Sequence, residues 1–443
     1  MVFPALPAFR SEFGATTAWT TWVLTGFLVS AAVTTPILGR LGDQFGKERM
    51  LLVSLGLFLI GCLGAAFAWD IWSLIGFRVL SGAGGALFPL SFAIIRDELP
   101  PEKVKVGIGL ISAVWGVGGG FGIVLSGVIV DHFSWRLLFL LGSIPVAISI
   151  ALVHRFVPES PVRTPSRVDV PGALLLSGAL LAFMVALTEG EDWGWASQPV
   201  LGLLVLSAVC FAAWCLVESR SSSPMVDLHM LVHPPILLTN VATLVSGFAL
   251  FNCFVLVPSF VQTAGEHGYG FGASATEAGL FLLPSSVAML FTGPLAGLMG
   301  RRFGSKWPLA AGMATAGVAA AVFASAHDQA WHVYFASALL GLGVGAAFSA
   351  MAALISDNVD AGEMGVASGM NTLIRLVGSV TGGQVAAALL TAQTIGSTSI
   401  PAESAYTISF TLSAVAAVAS AAIALRIGTQ PLRQRLAPAE ARR

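Results

Sequence analysis

PILGRLGDQFGKER, residues 36–49, crowds three glycines and six charged or amide side chains between two oily runs. To its left lies TAWTTWVLTGFLVSAAVTT (17–35) and to its right MLLVSLGLFLIGCLGAAFAW (50–69). A helix needs about 20 apolar residues to cross the hydrocarbon core of a bilayer. Each flank, counted with a few residues of the stretch, reaches that length. The stretch therefore reads as a tight charged turn between two membrane-crossing helices.

The rest of the chain has the same character. Its 443 residues are 56% hydrophobic and 10% charged, with a mean hydropathy of +0.85, where a soluble domain carries about 25% charged residues. Lipid must be the solvent for most of it, and only helices or closed barrels satisfy their backbone polar groups there. The apolar runs are continuous and lack the period-2 alternation of a barrel, so the expected class is an all-α polytopic membrane protein. A net charge of −1 excludes an electrostatic dependence on nucleic acid. Cys62, Cys210, Cys215 and Cys253 all lie in apolar runs without metal-like spacing. His132, His154, His229, His233, His267, His327 and His332 form neither metal nor triad spacing. With short loops as well, a membrane enzyme is disfavoured, and no cofactor or metal is expected.

Full spans are expected near 17–39, 50–69, 72–95, 106–130, 135–154, 171–188, 199–217, 236–262, 276–299, 307–326, 331–355, 364–391 and 405–427. One set of loops carries Arg40, Lys47, Arg49, Arg96, Lys103, Lys105, Arg155, Arg163, Arg167, Arg220, Arg301, Arg302 and Lys306. The C-terminal tail adds Arg426, Arg433, Arg435, Arg442 and Arg443. The opposite set holds only Arg10 and Arg136, beside acidic and aromatic stretches such as EGEDWGW (189–195). The positive-inside rule places the first set in the cytoplasm. Residues 1–16 then lie outside, and VFPALPAF (2–9) is the last third of a further helix. Either the chain starts inside helix 1, the favoured reading, or that helix has been lost.

PILGRLGDQFG (36–46) aligns with PLAGLMGRRFG (294–304), 258 residues on, matching Pro36, Gly39, Gly42, Phe45 and Gly46 with Pro294, Gly297, Gly300, Phe303 and Gly304. IRDEL (95–99) is echoed by ISDNV (355–359) at nearly the same offset. A repeated six-helix unit accounts for twelve helices, and 171–188 and 199–217 fall between the copies. The expected architecture is 6 + 2 + 6, with helix 1 largely missing. Its parts are an N-terminal bundle (1–154), two inserted helices (155–222), a C-terminal bundle (223–430) and a cytoplasmic tail (431–443).

GRLGDQFGKERML (39–51) resembles the loop between helices 2 and 3 of the major facilitator superfamily. LIGFRVLSGAGGA (74–86) resembles its helix-4 motif, and WGVGGGFGIVLSGVIVDHFSWRLLFLL (115–141) its helix-5 antiporter motif and the following loop. The two central helices point to the fourteen-helix drug:proton antiporter branch. The resemblance implies a plasma-membrane exporter of small amphipathic compounds, working by alternating access with protons as the coupling ion, and monomeric. The alternative is a metabolite exporter or facilitator without proton coupling. Gln44 and Glu48 stand where the family has basic residues, Ile123 where it usually has proline and Ser126 where it has glycine. The branch's buried aspartate would fall before Met1.

Roles follow for single residues, from the resemblance for the loop, Arg78 and the slender helix, and from position and chemistry for the others. Gly39, Gly42 and Gly46 let helices and turn approach closely. Asp43 would face the positive N-terminus of the helix starting near Gly365, and Arg49 would pair with Asp97, as a cytoplasmic latch; the competing reading is a solvated loop. Arg78, whose burial at a helix centre costs at least about 2.5 kcal/mol, is either a coupling or cavity residue or snorkels to an interface marked by Trp69 and Trp72. Arg375 is a gate or a cavity cation. Gly116, Gly118, Gly122 and Gly127 belong to a slender, closely packed helix. Asn252, Asn371, Gln384 and Phe251 are candidates for the substrate cavity, with interhelical bonding or packing as the alternative. Glu277 is the nearest acid to a span interior and a candidate for proton coupling.

Overall fold

In the computed structural model, Val2 and residues 5–428 are described, except 16, 161–168, 222–223, 225, 266–267 and 396–399. The expected tail at 431–443, Arg163, Arg167, Arg433, Arg435, Arg442, Arg443 and His267 lie outside the described residues. The chain is all-α. After a short α1 (Leu6–Phe13) come α2 (Thr17–Phe45), α3 (Lys47–Ala66), α4 (Ile71–Ser81), α5 (Leu87–Glu98), α6 (Pro101–His132) and α7 (Arg136–Phe156). Two central helices follow, α8 (Val170–Trp193) and α9 (Gln198–Arg220), then a single turn, α10 (Leu228–Val232). The remainder is α11 (Pro234–Gln262), α12 (Ala275–Phe303), α13 (Lys306–Ser325), α14 (Ala330–Asn358), α15 (Met364–Ala392) and α16 (Glu403–Leu425). Among the described residues, twelve stretches are long and apolar enough to cross a membrane. The 32-residue α6 runs beside them along α12.

The span expected at 72–95 is present as one apolar stretch, Ile71–Glu98, with a tightened turn inside it. Gly82–Ala86, sequence GAGGA, tightens into a 3₁₀ turn between α4 and α5. Glycine is a poor helix former, and α2 presses on the turn: Thr34 Oγ1 donates to the Gly82 carbonyl at 3.2 Å, and a Cβ on Gly85 would meet Thr35 and Ala31.

Two seams join the six-helix units, α2 against α15 and α6 against α12. The sequence repeat relates them. At the first, a Cβ on Gly39 would lie 2.5 Å from the Gly365 carbonyl oxygen, and one on Gly369 would press on Thr35 and Pro36. At the second, a Cβ on Gly297 would strike the Lys105 carbonyl, and one on Gly109 the Gly293 carbonyl and Pro294. These two contacts in one seam thus have their images in the other, with Gly39 answering to Gly297 and Pro36 to Pro294. The backbones touch because no side chain stands between them, the usual basis of tight packing where lipid offers helices no hydrophobic drive. The second seam is glycine-lined along its length, since Gly116 meets Met289, Gly279 meets Val124 and Gly127 meets Thr276.

The central pair breaks this symmetry. Met184 and Leu187 of α8 bury against Val29 of α2, with Val377 and Val380 of α15 packed on them, so α8 lies along the first seam. Its partner α9 leaves most of its surface outside, with Val200, Trp214 and Glu218 its buried residues. Phe9 of α1 packs edge-on against Trp135 at 4.9 Å between ring centroids.

Gly297→Ala should wedge the second seam open, because backbone cannot retreat as a side chain does; overpacking of this kind costs about 1–3 kcal/mol. Gly56→Ala on α3, where the added methyl meets open space, should leave stability unchanged or slightly raised. Thermal unfolding of the two purified variants in detergent checks the contrast.

Candidate functional site

The first seam ends in a cluster of buried charge. Gly365 and Val366 open α15, and the first amides of a helix have no partner within it. The Asp43 carboxylate supplies one: Gly365 N–H donates to Oδ1 at 3.1 Å and Val366 N–H to Oδ2 at 2.9 Å. Asp43 is fully buried, and a negative charge there also meets the positive end of the helix dipole. Gly46 makes the sharp exit from α2 with φ of +116°, a backbone state that side-chain-bearing residues avoid.

Arg49 was expected to pair with Asp97. Lys47 takes that place instead, its Nζ 2.5 Å from Asp97 Oδ2 and 3.8 Å from Asp43 Oδ1, with both Lys47 and Asp97 side chains buried. Ser160 Oγ donates to the same Asp97 oxygen at 2.5 Å. Lys47 begins α3 and points under α5, whereas Arg49 lies two residues on, around the helix from that site. Arg49 contributes its backbone: its N–H and that of Glu48 donate to the Glu159 carboxylate at 3.3 and 3.2 Å. A carboxylate therefore caps α3 within one unit, and another caps α15 across the seam.

Further contacts cross between the units at this end. The Arg96 guanidinium donates to the Val359 and Asp360 carbonyls. Lys105 of α6 meets Asp357 at 2.8 Å and also donates to the Gly300 carbonyl at 3.3 Å, while Ser305 donates to Asp357 at 2.9 Å. The repeat places Arg301 where the first copy has Asp43, and Arg301 is exposed. The second seam is instead tied by a cation from α6 on the carbonyl end of α12, so the polarity of the tie is inverted.

Between the units lies a cavity of about 600 Å³ joined by shared walls to one of about 240 Å³. Phe27, Leu28, Phe251 and Phe254 line both. Arg78 lines the larger, with its guanidinium 4.4 Å from the Phe27 ring centre and its Nε donating to the Val23 carbonyl at 3.2 Å. Arg78 is buried and does not snorkel to the Trp69–Trp72 interface. Arg375 lines the smaller, 4.3 Å over the Phe348 ring. Gly116 and Gly119 of α6 reach the larger cavity.

Several sequence candidates lie elsewhere. Asn371 Nδ2 donates to Asn240 Oδ1 and Thr243 Oγ1, both at 2.9 Å, tying α15 to α11. Asn252 Nδ2 donates to the Ser409 carbonyl at 3.1 Å and Ser413 Oγ at 2.7 Å, tying α11 to α16. Their amides are used in holding helices together, since a buried amide in lipid takes its partner from a neighbouring helix. Gln384 is half-buried on α15 and is not among the residues lining the two cavities. Gly118 faces open space and not a packed helix, whereas Gly116 and Gly127 pack on α12 and Gly122 is buried. Glu277 forms a capping box with Ser274 at the start of α12, where its carboxylate is committed to a backbone amide away from the cavities. Sequence reasoning missed Lys47, Glu159 and Glu189. Glu189, 6% exposed, accepts from Trp22 Nε1 at 2.6 Å, between α8 and α2 at the end remote from Asp43. The EGEDWGW run disguises it as loop.

An all-helical bundle of two repeated units, with a cavity and glycine seams between them, is the build of a membrane transporter. The Major Facilitator Superfamily model matches residues 1–383 and, in a second alignment, 239–443, and the chain belongs to that family. It is a multi-pass transporter of the plasma membrane. It is 30% identical over 399 residues to the tetracenomycin C resistance and export protein of Streptomyces glaucescens, covering 87% of this chain and 71% of that one. It is also 30% identical over 392 residues to multidrug resistance protein Stp of Mycobacterium tuberculosis, covering 88% and 72%. With multidrug resistance protein 3 of Bacillus subtilis identity is 28% over 366 residues, covering 82% and 70%. Among solved structures, the human organic anion transporter MFSD10 matches at a TM-score of 0.66 and 15% identity, over 95% of this chain and 88% of that one. The proton:xylose symporter XylE matches at 0.61 and 17%, over 96% and 91%. These two likenesses speak for the fold.

Asp97→Ala should remove the nearer of the two carboxylates that meet the buried Lys47 ammonium, a loss of about 3–5 kcal/mol. Lys47→Met combined with Asp97→Leu should recover most of it, as read by thermal unfolding in detergent. At the start of α15, burial and the nearby Asp227 hold the Glu363 carboxyl above the usual carboxylate range, with Arg40 opposing and Asp360 adding to the shift. The native state then binds more protons than the unfolded one, so this group's contribution to stability is lost as pH rises through its raised pKa. Glu363→Gln should raise the unfolding temperature at about pH 8 and leave it unchanged near about pH 4.

Proposed function

We propose that this transporter exports small amphipathic compounds in exchange for protons, by alternating access between its two six-helix units. The observation that carries the reading is a drug-sized cavity walled by both units, together with the Asp43 carboxylate seated on the α15 amides where the seam between them ends. By the positive-inside rule the Asp43 end is cytoplasmic. The described arrangement is then the cytoplasm-closed one, with Asp43, Arg96 and Lys105 as ties that break when the units rock. The names of the Streptomyces, Mycobacterium and Bacillus relatives, drug export and multidrug resistance, support an outward direction and amphipathic cargo.

Arg78 and Arg375 are the cavity's charged wall. For proton entry, Glu277 is withdrawn by its capping role. Glu189 takes its place as the carboxylate buried between α8 and α2 at the outer end. The uncoupled-exporter reading draws support from the same cavity, whose charged lining residues are arginines.

In inverted vesicles energised to an acidic interior, cargo uptake should dissipate the proton gradient and collapse on adding an uncoupler. Flux indifferent to the uncoupler would favour the uncoupled exporter. Asp43→Asn should cut the transport rate about tenfold or more while the protein still inserts, since a charge-assisted hydrogen bond contributes about 1.5–3 kcal/mol. Unimpaired flux would reduce Asp43 to a topology signal.

A further inference from the structure

The two joined cavities differ from an ordinary greasy pocket in one respect. Each has a guanidinium in its wall, laid over an aromatic face: Arg78 over Phe27 and Arg375 over Phe348. Arg78 spends one of its five N–H donors on the Val23 carbonyl. Arg375 accepts from Ser379 Oγ at its carbonyl, but its guanidinium has no hydrogen bond or ion pair to any described residue. An arginine inside a membrane protein is held there by a partner or by a water-filled cavity, and a ring face satisfies none of its N–H donors. Both donor sets therefore belong to whatever fills the cavity. Phe27, Phe251 and Phe254 stand between the two lobes and offer ring faces to a planar guest. The larger lobe, about 600 Å³, is in the range of about 300–1,000 Å³ that drug-sized ligands occupy.

We propose that the cargo is an amphipathic aromatic anion. Its ring system stacks among Phe27, Phe251 and Phe254, and its carboxylate or sulfonate is gripped by Arg375 or Arg78. The planar fork of arginine matches either oxyanion with two parallel hydrogen bonds. A cationic compound of the same shape would meet two positive charges at close range and be rejected. This deepens the export reading and rests on the cavity being the cargo site.

The test uses a matched pair of probes, naphthalene-2-sulfonate and (2-naphthylmethyl)trimethylammonium, which share an aromatic body and differ in charge. Binding to the full chain in lipid nanodiscs is measured by titration calorimetry against empty nanodiscs. The sulfonate should bind saturably and at least about tenfold tighter than the ammonium. Arg375→Gln and Arg78→Gln should each weaken the sulfonate about tenfold or more, and Arg375→Lys should keep part of the affinity. An ammonium that binds as tightly as the sulfonate overturns the proposal, as does sulfonate binding unchanged in both glutamine variants. If a glutamine variant fails to fold, the comparison of the two probes on the unmodified protein decides alone. Charge-selective binding without flux of either probe in inverted vesicles would keep the anion site and remove export. Flux of the ammonium alone would do the reverse.

Discussion

A carboxylate accepting two amide hydrogens at the start of α15 is the contact on which the arrangement of the two units turns. Asp43 is buried, yet among the described residues no arginine meets it across the seam. Its charge is met by the Gly365 and Val366 amides, by the dipole of a 29-residue helix and by Lys47 nearby. That geometry is available only because Gly39 and Gly365 let the two backbones touch. Charge and close approach are coupled: a side chain at either glycine would lift the carboxylate off its donors. Lys47 in turn is neutralised by Asp97, and Asp97 is anchored by Ser160, so the seam's charge is carried back into its own unit.

The two seams show how a repeat is kept in shape while its electrostatics diverge. Prolines and glycines occupy matching places, and the helix backbones cross in the same manner. The polar ties do not match. One seam sets an anion on the amino end of a helix, and the other sets a cation, Lys105, on a carbonyl end. Both exploit the same dipole with opposite sign. The α8 helix covers the first seam and adds Glu189 to it, so the two sides of the transporter also differ in what flanks them.

The architecture was legible because its determinants are local. Hydropathy marks the spans, the basic loops mark one end, and the Pro-Gly-Phe-Gly frame marks the repeat. Asp43 and its helix could be named because they belong to a short motif with fixed spacing. Contacts that depend on helix rotation were harder. Whether Lys47 or Arg49 reaches Asp97 turns on about 200° of helical phase, which a two-residue spacing decides only once the start of α3 is known. Asn252 and Asn371 look alike in sequence whether they face a cavity or a neighbouring helix. Glu189 sits in a run whose composition reads as loop, and α8 extends through it to Trp193. The 3₁₀ turn at 82–86 was present as GAGGA, but hydropathy averages over it.

Because the donors to Asp43 are main-chain amides, the receiving half of this tie is invisible to ordinary substitution. Nearly any residue at 366 presents the same N–H, so variation along α15 can alter packing without removing the donors. Proline, which has no N–H, is the exception. The tie is therefore genetically lopsided: apart from Gly365, where any side chain would part the backbones, inheritance tunes this contact from the α2 side, through its carboxylate.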